Sequence, residues 1–121
     1  MWIFLLVILA CISLHNTHVH GAPAGGYSRA KCPTEDQQNM FSSMIQSHGG
    51  KHGLSKSSKL KLLQVEMQVV MGKNFRGLVR MNGKGCYSVV IHQAIPQYQG
   101  KAGPLSIRSV ENVDCKQTIK C

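Results

Sequence analysis

Apolar and polar positions follow a helical period in one segment of the chain and a period of two in the segments after it. The helical segment opens at Thr34, which can cap a helix, and Gln37 stands three residues later in the capping-box position. The apolar residues that share one face of this segment are Met40, Phe41, Met44 and Ile45. Because two glycines follow His48, we expect the helix to end near Ser47. The pattern predicts one amphipathic helix that packs on one side.

Strands are predicted after a loop rich in glycine, serine and lysine, from Gly49 to Lys59. The first two strands have their apolar residues at Leu63, Val65, Met67 and Val69, and at Phe75, Gly77, Val79 and Met81. The turn Asn82-Gly83 leads to a third strand over Cys86 to Ile91, and a long turn over Pro96 to Pro104 leads to a last strand over Leu105 to Val110. Strands in close succession form an antiparallel meander, and the helix must cover its apolar face. The predicted fold class is α+β, with one N-terminal helix across a four- to five-stranded antiparallel meander.

The residues from Gln68 to Gly72 lie between the first two strands and form the tip of a predicted hairpin. A hairpin tip is usually polar, whereas this one contains Val69, Val70 and Met71 in succession. Two interpretations stay open from the residues alone. Either the tip is an apolar loop held out for a partner, or these residues complete the first strand inside the core and only Gly72 makes the turn.

The N-terminal segment has the features of a secretory signal. An apolar run extends from Trp2 to Ile12, and Val19-His20-Gly21 then places small residues where a signal peptidase cleaves. We therefore expect a signal peptide over residues 1–21 and a secreted, extracellular single domain over residues 22–121. Residues 22–31 are rich in glycine, alanine and proline and predict a flexible N-terminal arm. No later segment is apolar enough to span a membrane.

Loss of the signal changes the charge density and the cysteine count. The formal net charge of +9 lies wholly after residue 21, so the domain is strongly cationic. Cys11 leaves with the signal, and the cysteines that remain are Cys32, Cys86, Cys115 and Cys121. An even set in an oxidising compartment predicts two disulfide bonds, for which three connectivities are possible.

The histidines provide no convincing metal or catalytic site. His48 and His52 would share one face of a helix, but the glycines between them disfavour a helix and no acid lies close by. His92 lies within a predicted strand, and no serine, cysteine or acid has a recognisable catalytic spacing to any of the three. The sequence therefore predicts a protein that is not an enzyme and needs no metal or cofactor.

The order of these features resembles the cystatin family, the secreted inhibitors of papain-like cysteine proteases. That family has a flexible arm containing a glycine, one helix, and a meander whose first hairpin tip reads Gln-x-Val-x-Gly. Gln68, Val70 and Gly72 occupy those three positions here. The resemblance covers nearly all of residues 22–121 and is greatest to an invertebrate type 2-like cystatin with a variant second loop.

This resemblance implies that the arm, the tip and a second loop fill the cleft of a cathepsin L- or B-like protease without being cut. The residues it assigns to protease binding are Gly26 (or Gly25), Gln68, Val69, Val70, Met71, Gly72, Pro96 and Tyr98. Cys86 and Cys115 resemble the C-terminal disulfide of the family. The other internal pair of the family is missing, and Cys32 with Cys121 is the preferred alternative.

Two departures from the family pattern affect function. The second loop of cystatins usually presents Pro-Trp, whereas Gln97 follows Pro96 here and Tyr98 comes one residue late. A missing aromatic anchor can cost about 2 kcal/mol of binding free energy. The serine-asparagine pair that some cystatins use against legumain is also absent, because His48 follows Ser47, so we do not predict legumain inhibition.

The positive charge supports an alternative function. The basic residues that suggest it are Lys56, Lys59, Lys61, Arg76 and Arg80. Through them a cationic protein of this fold would bind glycosaminoglycan or another anionic surface without inhibiting a protease. Nucleic acid is not an expected partner because aromatic residues for stacking on bases are few.

Overall fold

The structure, a computed structural model, describes residues 26–55, 59–82, 85–116 and 118–121. Its elements are a helix, α1 (Glu35–His48), a 3-10 helix (Gly49–His52), and the strands β1 (Leu60–Val70), β2 (Gly72–Met81), β3 (Gly85–Gln93) and β4 (Leu105–Val113). The strands pair antiparallel in the order β1-β2-β3-β4. The predicted α+β class, one helix on an antiparallel meander, is confirmed. The predicted signal peptide and the first part of the arm lie outside the described residues.

Helix α1 begins as its sequence predicts. The Thr34 hydroxyl accepts the Gln37 N–H at 3.1 Å, and the Gln37 side chain accepts the Thr34 N–H at 3.0 Å, which completes the capping box. Its buried residues are Phe41, Met44 and Ile45, from the predicted stripe, and Met40 is partly buried against them. The helix therefore has one buried face and one solvated face.

The helix lies close to the sheet because β2 has a glycine at the crossing point. A Cβ atom on Gly77 would lie 2.6 Å from Phe41 Cζ and 2.7 Å from Leu62 Cδ1. The Phe41 ring fills the space that a side chain on β2 would take, and it is fully buried there. Val79, Val89 and Ile91 complete the centre of this core at 0% exposure, so the core lies between α1 and the two middle strands.

The first strand differs from its predicted pattern. The pairing of β1 with β2 shifts between Leu62 and Gln64, which is a β-bulge. One extra residue reverses the alternation, so Leu62, not Leu63, points into the core and is 2% exposed. Met67 and Val69 keep the predicted alternation but are 37% and 64% exposed, because β1 extends past the region that the helix covers. The alternation predicted for this strand therefore holds from Val65 onwards and fails at Leu63.

Two other predicted boundaries also change. The segment predicted as a loop from Gly49 to Lys59 begins with the 3-10 helix, and Leu54 is buried at 6% exposure. A Cβ on Gly49 would be 3.1 Å from Ile45 Cγ2, so the absence of a side chain lets this turn pack on the core. Strand β4 continues to Val113, three residues beyond the predicted end at Val110, because its pairing with β3 continues as far as Cys86.

Two disulfide bonds fix the chain on the side of the sheet away from α1, which we call the open face. One joins Cys86 to Cys115 and the other joins Cys32 to Cys121. The Ile119 N–H donates to the Gln64 side chain at 3.0 Å, so the C-terminal tail crosses from β3 to β1 on this face. The arm and the tail are therefore joined beside β1.

Candidate functional site

The hairpin tip between β1 and β2 is sharp and exposed. Val70 pairs with Gly72, so Met71 alone lies outside the ladder. Gly72 has a φ of +89°, a backbone conformation that favours glycine. Val69, Val70 and Met71 are 64%, 41% and 82% exposed. Val69 and Val70 complete β1, as the second interpretation held, but they are exposed and not buried in the core. The tip is thus a projecting apolar surface.

The connection between β3 and β4 lies against this tip. A Cβ atom on Gly72 would collide with the backbone carbonyl of Gln93 and lie 3.2 Å from the Cα of Ala94. Ala94 N–H donates to the Pro104 carbonyl at 2.9 Å and closes the base of this second loop. A groove of about 390 Å³ lies between the two loops, with Val70 on one side and Pro96 on the other. The bare backbone at Gly72 therefore lets the two loops touch.

The second loop presents its own apolar side chains to solvent. Ile95 is 54% exposed and Tyr98 is 72% exposed. Pro96, the residue matched from the resemblance, is exposed between them. Sequence reasoning missed Ile95, although its position directly before Pro96 in a turn was the signal that it would leave the sheet.

The arm approaches the same end of the sheet along the outer edge of β1. Lys31 and Val65 exchange backbone hydrogen bonds of 2.9 and 3.0 Å, and the Ser28 N–H donates to the Met67 carbonyl at 2.8 Å. The arm therefore runs antiparallel to β1 and is anchored from Ser28 onwards, whereas the sequence predicted flexibility as far as residue 31. Continuation of this register directs the exposed Gly26 towards Val69 and the tip.

The end of β1, the tip and the second loop hold most of the exposed large apolar side chains. Seven large apolar side chains are exposed among the described residues. Six of them lie at this end of the sheet, namely Met67, Val69, Val70, Met71, Ile95 and Tyr98, and only Ile119 lies elsewhere. An apolar cluster of this kind on a small domain marks an interaction surface. We call this cluster the wedge.

A row of polar side chains supports the wedge on the open face. Asn74 donates from its amide to the Gln68 side chain at 3.0 Å, and its oxygen lies 2.7 Å from Nδ1 of His92. Since the Asn74 oxygen can only accept, Nδ1 of His92 carries the proton. The row ties β1, β2 and β3 together just below the tip. Sequence reasoning missed Asn74 and the role of His92, because the contact depends on strand register.

A second polar cluster joins the arm to the sheet. Arg76 donates to both carboxylate oxygens of Glu66, at 2.8 and 3.3 Å, and its guanidinium lies 4.0 Å from the centre of the Tyr27 ring. The hydrogen bonds to Glu66 raise the pKa of Arg76 above its usual value, and partial burial opposes this effect. Arg76 thereby orients Tyr27, next to Gly26, against the open face.

The charge at the wedge is positive. The segments that form the tip and the second loop, residues 68–75 and 93–105, include Lys73 and Lys101 and no acidic residue. Arg108 faces the tip across the open face, where it lines a shallow pocket with Met71 and His92. A partner with an acidic rim around an apolar cleft would therefore complement this end of the sheet.

The described part of the chain contains neither a metal-binding cluster nor a membrane-spanning helix. There, no three histidine, cysteine or acidic side chains lie close enough together to hold a metal ion. Within the same residues, no helix has the length and apolar character needed to cross a membrane. His48 and His52 lie at the ends of α1 and the 3-10 helix and are exposed.

Comparison with known proteins shows similarity to a cystatin of known structure. No protein-family model matches the chain, and no curated protein matches its sequence. Among solved structures, a secreted type 1 cystatin from Fasciola hepatica matches with a TM-score of 0.62 and 30% sequence identity. The match covers 75% of this chain and 98% of that protein. The type 2-like subtype that the sequence suggested stays a prediction, since the matched protein is of type 1.

Proposed function

This chain belongs to the cystatin family, and on that premise we propose that it is a secreted, reversible inhibitor of papain-like cysteine proteases. The observation that carries the proposal is the contact between the tip and the second loop, which Gly72 permits by having no side chain. This contact makes one continuous apolar edge of two loops that are distant in sequence. The partners we propose are cathepsin L- and B-like enzymes.

The wedge acts by occlusion and needs no catalytic group. A papain-like enzyme must bring its cysteine and histidine to a substrate carbonyl at the bottom of a narrow cleft. The tip offers only Met71 outside the strand ladder, so no extended stretch of backbone can lie across the catalytic cysteine. The protease is blocked and the inhibitor is not cut.

Apolar burial supplies the affinity. Met71 is 82% exposed and Tyr98 72% exposed in the free protein, so both can lose most of that exposure in a cleft. Burial of one large apolar side chain stabilises by about 1.5–3 kcal/mol. The strand pairing and the Gln68–Asn74 hydrogen bond hold the tip in shape beforehand, which keeps the entropic cost of association low.

The second loop contributes less than the Pro-Trp loop of the family. Gln97 replaces the tryptophan, and Tyr98 and Ile95 are the large apolar side chains that this loop exposes. Binding therefore depends more on Val70 and Met71 than it would with a tryptophan in the second loop. We expect affinity below that of a cystatin with the aromatic anchor.

An extracellular site of action is part of the proposal. Two disulfide bonds stabilise the described domain, and such bonds persist in oxidising compartments. The predicted signal peptide over residues 1–21 supports the same compartment.

The test is titration of the folded protein, residues 22–121, against papain, cathepsin L and cathepsin B. We expect reversible inhibition that is competitive with a peptide substrate, and full recovery of protease activity on dilution. A protein that carries both disulfides and the native circular dichroism spectrum, yet leaves all three enzymes active at micromolar concentration, would overturn the proposal.

A further inference from the structure

Two basic side chains face each other near the end of the sheet opposite the wedge. Lys61 on β1 pairs with Arg80 on β2. Val79 and Met81 point into the core, so Arg80 between them lies on the open face, and its pairing partner Lys61 shares that face. Like charges directly opposite one another on a sheet are destabilising.

The same two strands also contain a pair of opposite charges, which is the stabilising arrangement on a sheet. Glu66 pairs with Arg76 on the same face and forms a salt bridge of 2.8 Å. Among the described residues this is the only salt bridge. Within those residues, neither Lys61 nor Arg80 has an acidic partner. A lysine on the edge strand β1 can deter pairing with another chain, but Arg80 lies on an inner strand and has no such role. Folding alone therefore does not account for this pair.

The C-terminal tail adds further positive charge beside Lys61 and Arg80. Cys115 is bound to Cys86, which pairs with Arg80, so Lys116 lies next to this position on the open face. Lys61 lines one pocket together with Thr118, Ile119 and Cys121, which surround Lys120 in sequence. Lys59 precedes β1 and exchanges hydrogen bonds with Asn82. We call Lys59, Lys61, Arg80, Lys116 and Lys120 the basic patch.

The nearby acids leave the patch positive. Asp114 is next to Cys115 and accepts the backbone N–H of Lys116 at 3.0 Å. Glu35 and Asp36 stand in the first turn of α1, on the other face of the sheet. Glu111 on β4 pairs with Ser88 and also lies on the open face. Five basic side chains therefore accompany two carboxylates, those of Asp114 and Glu111, on this part of the open face. The two disulfides hold the tail in place, so the charges have a fixed arrangement.

We propose that the basic patch binds a sulfated polysaccharide while the wedge holds a protease. Lys59 and Lys61 are two residues apart along the strand direction, about 7 Å, and Arg80 lies across from Lys61, which suits sulfate groups repeated along an extended sugar chain. The patch has no aromatic side chain on which a nucleic acid base could stack. Lys61 and Val70 are nine residues apart on β1, or about 30 Å, so the two partners do not compete for space.

The test compares two double variants that remove the same charge from different places. Lys61→Gln with Arg80→Gln changes the patch, and Lys73→Gln with Lys101→Gln changes the wedge end. Affinity for heparin is measured by titration over a range of sodium chloride concentrations. We expect the patch variant to bind much more weakly and to lower the slope of log affinity against log salt by about 2, which is close to one unit for each lost contact. The wedge-end variant should keep the wild-type slope.

A third variant separates binding from folding. Lys61→Glu places a carboxylate opposite Arg80, as Glu66 lies opposite Arg76. We expect this variant to lose heparin binding and to melt at a higher temperature than the wild type. Loss of heparin binding together with a lower melting temperature would count against the patch as a binding site, because a folding defect would then explain the result.

Two outcomes overturn the proposal outright. Equal losses in the two double variants would mean that net charge alone attracts heparin. Duplex DNA bound as tightly as heparin at the same salt concentration would mean that the patch has no preference for a sulfated sugar chain. Simultaneous binding rests on the proposed function and is tested separately, since saturating heparin should leave papain inhibition unchanged. If the protein does not inhibit papain at all, the heparin measurements still decide whether the basic patch binds the polysaccharide.

Discussion

Replacement of Gly72 by alanine should disable inhibition while the domain stays folded. The new Cβ would meet the Gln93 carbonyl, and the φ of +89° would become unfavourable for the residue. The left-handed conformation costs an L-residue roughly 1–2 kcal/mol. Relief of the collision must move the tip away from the second loop, and the loss of one apolar contact with the protease costs about 1.5–3 kcal/mol more. Part of the backbone cost destabilises the folded protein and does not weaken binding. We therefore expect binding to weaken by about 3 kcal/mol, which raises the inhibition constant roughly 100-fold.

The assay is the inhibition constant for papain, measured alongside thermal unfolding. Gly53→Ala is the matched control, since Gly53 also has a positive φ, of 81°, but has open space around its Cβ position. This control lies after the 3-10 helix, far from the wedge, and should lose about 1 kcal/mol of stability with no change in inhibition. A folded Gly72→Ala protein that inhibits papain within a few-fold of the wild type would show that inhibition does not need the close contact between the tip and the second loop.

Three further substitutions test the second loop, the packing of the helix and the anchoring of the C-terminal tail. Gln97→Trp restores the Pro-Trp sequence and should lower the inhibition constant for papain by about tenfold or more, since an aromatic anchor contributes about 2 kcal/mol. An unchanged inhibition constant would show that this loop does not contact the protease. Gly77→Ala puts a Cβ against Phe41 and should lower the free energy of unfolding in urea by about 1–3 kcal/mol. An unchanged midpoint would show that the helix does not lie this close to β2. Replacing Cys32 and Cys121 with serine removes a disulfide that spans 89 residues and should lower the free energy of unfolding by about 4–5 kcal/mol in the same assay. Near-native stability would show that this disulfide does not anchor the tail.

The helix was predictable because its signals are local. Thr34 and Gln37 form the capping box within four residues of sequence, and the stripe through Phe41 and Ile45 follows the helical period. The bulge after Leu62 has no such signal. A single extra residue reverses the alternation, and only the pairing with β2 shows where it lies.

The candidate site was predictable in its parts but not in its assembly. The apolar tip and the exposed second loop follow from the residues and from the resemblance. The contact between Gly72 and Gln93 requires the register in which Lys73 pairs with Gln93, and that register cannot be read from either strand alone. The link from Asn74 to His92 depends on the same register. Long-range pairing therefore decides how separately predictable segments combine.

If the tip and the second loop enter the protease cleft, amide hydrogen exchange will detect their burial directly. Exchange is measured on residues 22–121 alone and saturated with papain whose cysteine has been reversibly blocked. We predict slower exchange at residues 68–74 and 94–100, and unchanged exchange in the middle of α1. Saturable binding with protection on α1 or on the C-terminal tail, and none at the tip, would show that the protease binds another surface.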